Sequence, residues 1–159
     1  MNDSTKISAR EVYKMLINTI KDMGWSYEEL ANMQIRFAAQ GNDIPMSFRM
    51  TVNEGKQTIV LYSLLPLNFD EDKRLLGALA SCSANYRLAD GSFDYDITDG
   101  AIFFRMTANY RDSEITNALM AYMIECSCRT VDRYNDKFLM LSRGIMTLDE
   151  FNKEIGFSN

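Results

Sequence analysis

The sequence predicts an α+β fold, an antiparallel sheet with helices packed on it, and three observations carry that prediction. Met46-Ser47-Phe48-Arg49-Met50-Thr51-Val52 alternates apolar and polar residues with the period of a half-buried strand. Asp99-Gly100 stands between two alternating runs, among the strongest local hairpin signals. On either side of these strands, apolar residues recur three and four apart, the helical period. With 159 residues, 47% apolar and 25% charged, the composition is that of one globular domain large enough to bury a core without staples. The expectation is a single domain over residues 1–159, with a core from 8 to 144 and a short C-terminal helix over 147–155.

The element order reads α-β-β-β-α-β-β-α-α. Ser8 with Glu11 offers a capping box for the first helix, Val12, Leu16, Ile20 and Met23 give its apolar stripe, and Gly24 stops it. Trp25 to Leu30 reads as a connection with at most one helical turn. Three strands follow: Met33–Gln40, Met46–Val52 and Gln57–Leu65, the last two joined by the turn Asn53-Glu54-Gly55-Lys56. Pro66 is expected to end the third, because proline cannot donate to a ladder. Asn68 and Glu71 are placed as a cap for a helix running to Arg87, with a buried stripe of Leu75, Leu76, Leu79, Cys82 and Tyr86. The hairpin Ser92–Thr98 and Ala101–Tyr110 comes next. Ser113 is expected to cap a long helical region with Ile115, Leu119, Tyr122 and Cys126 stacked on one face, continuing through Val131, Tyr134, Phe138 and Leu141 and ending at Gly144. Unbroken, that region would span about 45 Å, so a bend or overhang is expected. Thr147 and Glu150 cap the final helix.

Several of these residues are punctuation shared with a known family. Ala84-Asn85-Tyr86 at a helix end, Gly91-Ser92-Phe93 leading into a hairpin, the Asp99-Gly100 turn and Arg111-Asp112-Ser113-Glu114 before a long helix together resemble the YbjN-like family, over residues 8 to 145. The resemblance implies the fold of the type III secretion chaperones, a role in bacterial sensory transduction or regulation, a non-enzymatic binding function and a tendency to form homodimers. It brings no catalytic residues with it.

The residue types narrow the chemistry. There is no histidine, which removes the commonest metal ligand and general base. Cys126 and Cys128 lie about 200° apart around a helix and cannot share a metal; with Cys82 they read as packed or free thiols of a reducing compartment. Asp94 to Gly100 has the look of a calcium loop, but glycine falls one position late and Arg105 stands where the last ligand would be. No phosphate-cradling glycine loop or nucleophile elbow occurs. The acids fall mainly at helix starts (Glu11, Glu71, Glu114, Glu150), where the macrodipole accounts for them. No cofactor, no metal and no catalytic residue are therefore expected. The net charge of −5 argues against nucleic acid. No apolar run approaches a membrane span and the first ten residues lack a signal-peptide layout, so a cytoplasmic protein is expected.

Working out the strand faces gives the positive signal. Centring one turn on Glu54-Gly55 sets Met50 opposite Ile59 and Phe48 opposite Leu61; centring the other on Asp99-Gly100 sets Tyr95 opposite Phe104 and Asp94 opposite Arg105. One face of each hairpin is then wholly apolar and buried. The reverse face carries Val60, Tyr62, Leu64 and Phe103 among Arg36, Arg49 and Arg105, a mixture typical of interface centres. Either the long C-terminal helix covers it, or it is a dimer or partner-protein surface. Val60, Tyr62, Leu64 and Phe103 are the candidate partner-binding anchors, with Arg49 and Arg105 as orienting charges. Among the eleven methionines, Met46, Met50 and Met106 are assigned to the core, while Met120, Met123 and Met140 are expected to be exposed. The leading expectation is a chaperone-like or regulatory adaptor that binds a protein partner or itself. The alternative is a small-molecule sensor with a pocket of methionine and aromatic side chains between sheet and helices. An enzyme working through carboxylates ranks last.

Overall fold

The computed structural model describes residues 7–156; residues 1–6 and 157–159, which carry the ends of the expected domain and most of the stretch read for a signal peptide, lie outside the described residues. Helix α1 (Ala9–Asp22) is followed by strands β1 (Tyr27–Leu30), β2 (Gln34–Ala39), β3 (Met46–Asn53) and β4 (Thr58–Asn68). Helix α2 (Arg74–Arg87), strands β5 (Ser92–Tyr95) and β6 (Ala101–Asn109), and helices α3 (Asn117–Ser142) and α4 (Leu148–Gly156) complete the chain. The six strands form one antiparallel sheet in the order β1-β2-β3-β4-β6-β5.

Local chemistry sets the ends of α1 and α4. Ser8 Oγ accepts from the Glu11 N–H while the Glu11 carboxylate accepts from the Ser8 N–H, and Thr147 with Glu150 repeats the arrangement at α4. These bonds favour the charged carboxylate and hold both acids below the usual range. α1 closes with the Trp25 N–H on the Ile20 carbonyl and the Gly24 N–H on Lys21, a Schellman motif.

Four expectations change here. Trp25–Leu30 is no helical turn: Tyr27–Leu30 pairs with β2 as a short edge strand, a pairing that local pattern does not encode. Pro66 does not end β4. It falls where the β4–β6 register shifts between Leu64 and Asn68, so no ladder bond is lost at its missing N–H. Asn68 caps nothing and instead donates to the Asp99 carbonyl; a 3₁₀ turn over Glu71–Lys73 leads into α2 without a side-chain cap. Ser113 is too early, and Thr116 caps α3 by accepting from the Leu119 N–H. α3 then runs unbroken for 26 residues, about 39 Å.

The buried faces of α2 and of the first half of α3 also differ from the expected stripes. α2 buries Gly77, Ala80, Ser81 and Ala84, whereas Leu75, Leu79, Cys82 and Tyr86 point outward and Leu76 is half-buried. Close approach explains the choice: a Cβ on Gly77 would lie 2.6 Å from the Tyr95 hydroxyl, so only a small-residue face fits against β5. On α3 the buried residues are Met120, Met123, Ile124, Ser127, Val131, Tyr134, Asn135, Phe138, Leu141 and Ser142; Val131, Tyr134, Phe138 and Leu141 are as expected, while Tyr122 is exposed and Leu119 and Cys126 are half-buried. Met120 and Met123 are thus core residues and Met140 is half-buried. The Ser127 hydroxyl has a soft acceptor in the Met106 sulfur at 3.8 Å, while the Thr19 hydroxyl donates to the Met15 carbonyl at 2.8 Å with the Met120 sulfur 4.0 Å away.

The core lies between the sheet and α1 plus α3. Ile35, Phe37, Phe48, Met50, Val52, Ile59, Leu61, Phe104 and Met106 face inward and are buried. Phe93, Phe104, Tyr134, Phe138 and Phe151 continue as an aromatic cluster with ring separations near 5 Å, tying β5, α3 and α4 together.

Both hairpins pair two residues away from the expected register. Met50 faces Leu61 and Val52 faces Ile59; Phe93 faces Phe104 and Tyr95 faces Ile102. Each turn is longer than two residues. Asn53 Oδ1 holds the first by accepting from the Lys56 N–H, and Asp96 holds the second by accepting from Thr98. A shift of two leaves every side chain on its expected face. Gly100 has φ +78°, and a Cβ there would meet the Phe69 carbonyl oxygen at 2.1 Å. Gly100→Ala should therefore destabilise the protein by at least ~1–3 kcal/mol, read as a lower urea midpoint with an unchanged denaturant slope.

Candidate partner-binding face

The outer face of the sheet is built from the residues that the inner face rejects. Reading across the strands gives one row, Glu28, Arg36, Arg49, Tyr62, Arg105 and Ser92, in successive register positions from β1 to β5. The next row sets Leu64 beside Phe103 and Asp94; on the other side Thr51, Val60 and Thr107 are aligned. The helices leave this face open. α3 packs on the opposite side through Met120, Met123 and Ile124, and α4 buries Phe151 against Phe138, so the C-terminal helix does not cover it.

Tyr62 is 41% and Leu64 55% exposed, while Val60 and Phe103 are half-buried. Tyr62, Leu64, Pro66 and Phe103 form the apolar part of a shallow depression of about 680 Å³, with Ser47 on its floor and Arg36, Arg49 and Asp94 around it. The depression thus gathers Tyr62, Leu64, Phe103 and Arg49 from the predicted set. Val60 and Arg105 lie beside it on the same face rather than in its lining.

The arginines differ in their partners. Arg105 makes a two-point pair with Asp94, at 2.5 and 3.0 Å, and that hydrogen bonding raises the guanidinium's pKa further. The carboxylate is the diagonal neighbour of Arg105, not the directly opposed one expected from the sequence. Arg36 pairs with Glu28 at 2.5 Å. Arg49, between them, makes no ion pair among the described residues. Both ion pairs are solvent-exposed and contribute at most ~1 kcal/mol each.

The edges of the sheet are less available than the face. The Asn85 side-chain amide accepts from the Phe93 N–H at 2.7 Å and donates to the Phe93 carbonyl at 2.9 Å, occupying both backbone groups of Phe93 on the outer edge of β5. β1, at the other edge, has four residues, two of them glutamates. Sequence reasoning gave Asn85 no such role. Its one signal was the place of Asn85 at a helix end, six residues before a glycine.

The acids of the Asp94–Gly100 segment are committed to structure: Asp94 to Arg105, Asp96 to Thr98, and Asp99 to the Ala101 N–H. Among the described residues, no three metal-binding side chains come together. No described helix is long and apolar enough to cross a membrane.

This sheet and its helices define the class, a chaperone-like α+β fold. The chain belongs to the YbjN family, whose model, described as "Putative bacterial sensory transduction regulator", matches residues 13–140. The crystal structure of YbjN from E. coli, described as "a putative transcription regulator", aligns with a TM-score of 0.58 at 11% identity, covering 83% of this chain and 91% of that one. A chain of the HopA1–SchA chaperone–effector complex aligns at TM-score 0.50 and 9% identity, covering 87% and 96%. A chain of the ExsC–ExsE complex gives 0.50 and 9%, covering 85% and 96%. No curated protein matches in sequence.

Thiol chemistry follows from burial. Cys82 is exposed, whereas Cys126 and Cys128 are half-buried. Burial first, and then the Asp132 and Glu125 charges, push the Cys128 thiol up to about 12. In the native protein at pH 8, iodoacetamide should label Cys82 quickly and Cys128 last, as peptide mass spectrometry would report; early modification of Cys128 would contradict this ordering.

Proposed function

We propose that the protein is a non-enzymatic, cytoplasmic protein-binding module, a chaperone-like or regulatory adaptor that holds a segment of a partner protein on its outer sheet face. The observation that carries the proposal is the open apolar patch of Tyr62, Leu64, Pro66 and Phe103, set among arginines on a side that no helix covers. Apolar centres with an arginine rim suit protein recognition. The face is preferred to the edges because Asn85 plugs one and the other is short and acidic. Solved complexes of the same fold, one a chaperone with its effector, lend support at the level of architecture.

A homodimer is part of this proposal, but on another surface. Leu75, Leu79, Cys82 and Tyr86 recur at spacings of four, three and four along α2, a seam suited to a second copy of the same helix. In an antiparallel pair the exposed acids Glu71 and Asp72 of one copy meet the exposed Arg87 of the other. The sensor alternative is less favoured, since Met46, Met50, Met106, Met120 and Met123, which would line its pocket, are packed into the core.

Two measurements follow. Alanine at Val60, Tyr62, Leu64, Phe103, Arg49 or Arg105 should leave the circular dichroism spectrum intact and weaken capture of the partner from native cells; undiminished capture by every folded variant rejects this surface. Light scattering should give twice the 18.3 kDa chain mass. Leu79→Asp should reduce it to one, with Leu64→Asp remaining dimeric. A monomeric wild-type protein would remove the α2 seam from the proposal.

A further inference from the structure

The outer face specifies more than an apolar partner. Arg36 and Arg49 are directly opposed across β2 and β3, a placement in which like charges repel. Glu28 and Asp94 neutralise the two outer arginines of the row, Arg36 and Arg105, and both acids come from the edge strands. Arg49 stands between, beside Tyr62, with no acid of its own among the described residues. A carboxylate seated on Arg49 would relieve its repulsion with Arg36, in a setting made less aqueous by the neighbouring apolar groups.

Resting on the reading of this face as a partner site, we infer that the bound segment is extended and acidic-apolar: one Asp or Glu, followed on the same side by two large apolar residues. Spacing sets the pattern. With strands about 4.8 Å apart and same-face residues about 6.7 Å apart along a strand, Leu64 lies about 8 Å and Phe103 about 12 Å diagonally from Arg49. An extended segment presents same-side residues at about 6.7 and 13 Å. An acid on Arg49 thus places the residue two positions on over Leu64, and the residue four positions on over Phe103 and Pro66. The motif is acid-x-apolar-x-apolar, in either chain direction. A basic residue in the first place meets two guanidinium groups and is rejected.

The test uses the full chain and a phage-displayed library of random peptides, with selection on wild type, Leu64→Asp and Arg49→Glu in parallel. Both substitutions are at exposed positions, and circular dichroism checks each fold. The expected result is a set of peptides lost on Leu64→Asp, carrying Asp or Glu two positions from the first of two spaced apolar residues. Changing that acid to Lys in a synthetic copy should weaken binding about tenfold or more, and selection on Arg49→Glu should exchange the acid for Lys or Arg. Face-dependent peptides without an acid preference, unchanged on Arg49→Glu, overturn this inference and leave the partner site standing. Selection that yields no peptide sensitive to Leu64→Asp overturns both.

Discussion

Everything in this molecule depends on the closure of one face of a six-stranded antiparallel sheet. α1 and α3 lie across its centre, and the side chains beneath them, among them Ile35, Phe48, Met50, Leu61 and Phe104, are shut away from water. Because successive residues of a strand point to opposite sides, fixing the inner set fixes the outer set as well. Tyr62 is outward because Leu61 and Ser63 are inward; Phe103 is half-exposed because Ile102 and Phe104 are buried. The candidate binding surface is therefore the geometric remainder of core formation. Its composition is not: nothing in the burial of Leu61 requires its neighbour to be tyrosine, or that of Leu65 requires Leu64 and Pro66.

This dependence on parity explains why the site was legible when the pairing was not. Both turns are two residues longer than the alternation predicts. The pattern sets Lys56 opposite Asn53, where Thr58 stands, and Ile97 opposite Ile102, where Tyr95 stands. The longer turns arise from side-chain bonds, Asn53 to the Lys56 N–H and Asp96 to Thr98, that outcompete tight two-residue turns. An error of two restores the face, so Val60, Tyr62, Leu64, Phe103, Arg49 and Arg105 all fall on the predicted side. An error of one would have buried the arginines.

Helices offered no such protection. A stripe of Leu75, Leu79, Cys82 and Tyr86 has the period of a buried face, and hydrophobicity alone assigns it to the core. The core instead takes Gly77, Ala80, Ser81 and Ala84, because α2 approaches β5 too closely for anything larger. Periodicity reports that a helix has an apolar side; it does not report whether the covering layer belongs to the same chain. On α3, a long helix with apolar residues most of the way round, the expected stripe is about one residue out of phase in the first half, while Val131, Tyr134, Phe138 and Leu141 fall inside as expected. Tyr122 was taken inward and Met120 outward, where burial reverses them. Edge strand β1 was invisible for a related reason, since Tyr27–Leu30 is a strand only because β2 offers it a partner.

The treatment of the sheet's borders bears on what the open face is for. An unpaired strand edge invites pairing with other chains, and this protein blocks one with care: Asn85 spends both polar atoms of its amide on the N–H and carbonyl of Phe93. β1 is kept short and carries Glu28 and Glu29. The same chain leaves Tyr62 and Leu64 uncovered on the face and sets Arg36 opposite Arg49, an arrangement that costs stability in the isolated protein. Guarding against indiscriminate backbone pairing at the edges while tolerating a charged, apolar face favours recognition by side chains. On the proposed reading of this face, affinity would come from burying Leu64 and Phe103, and selectivity from what Arg49 will accept.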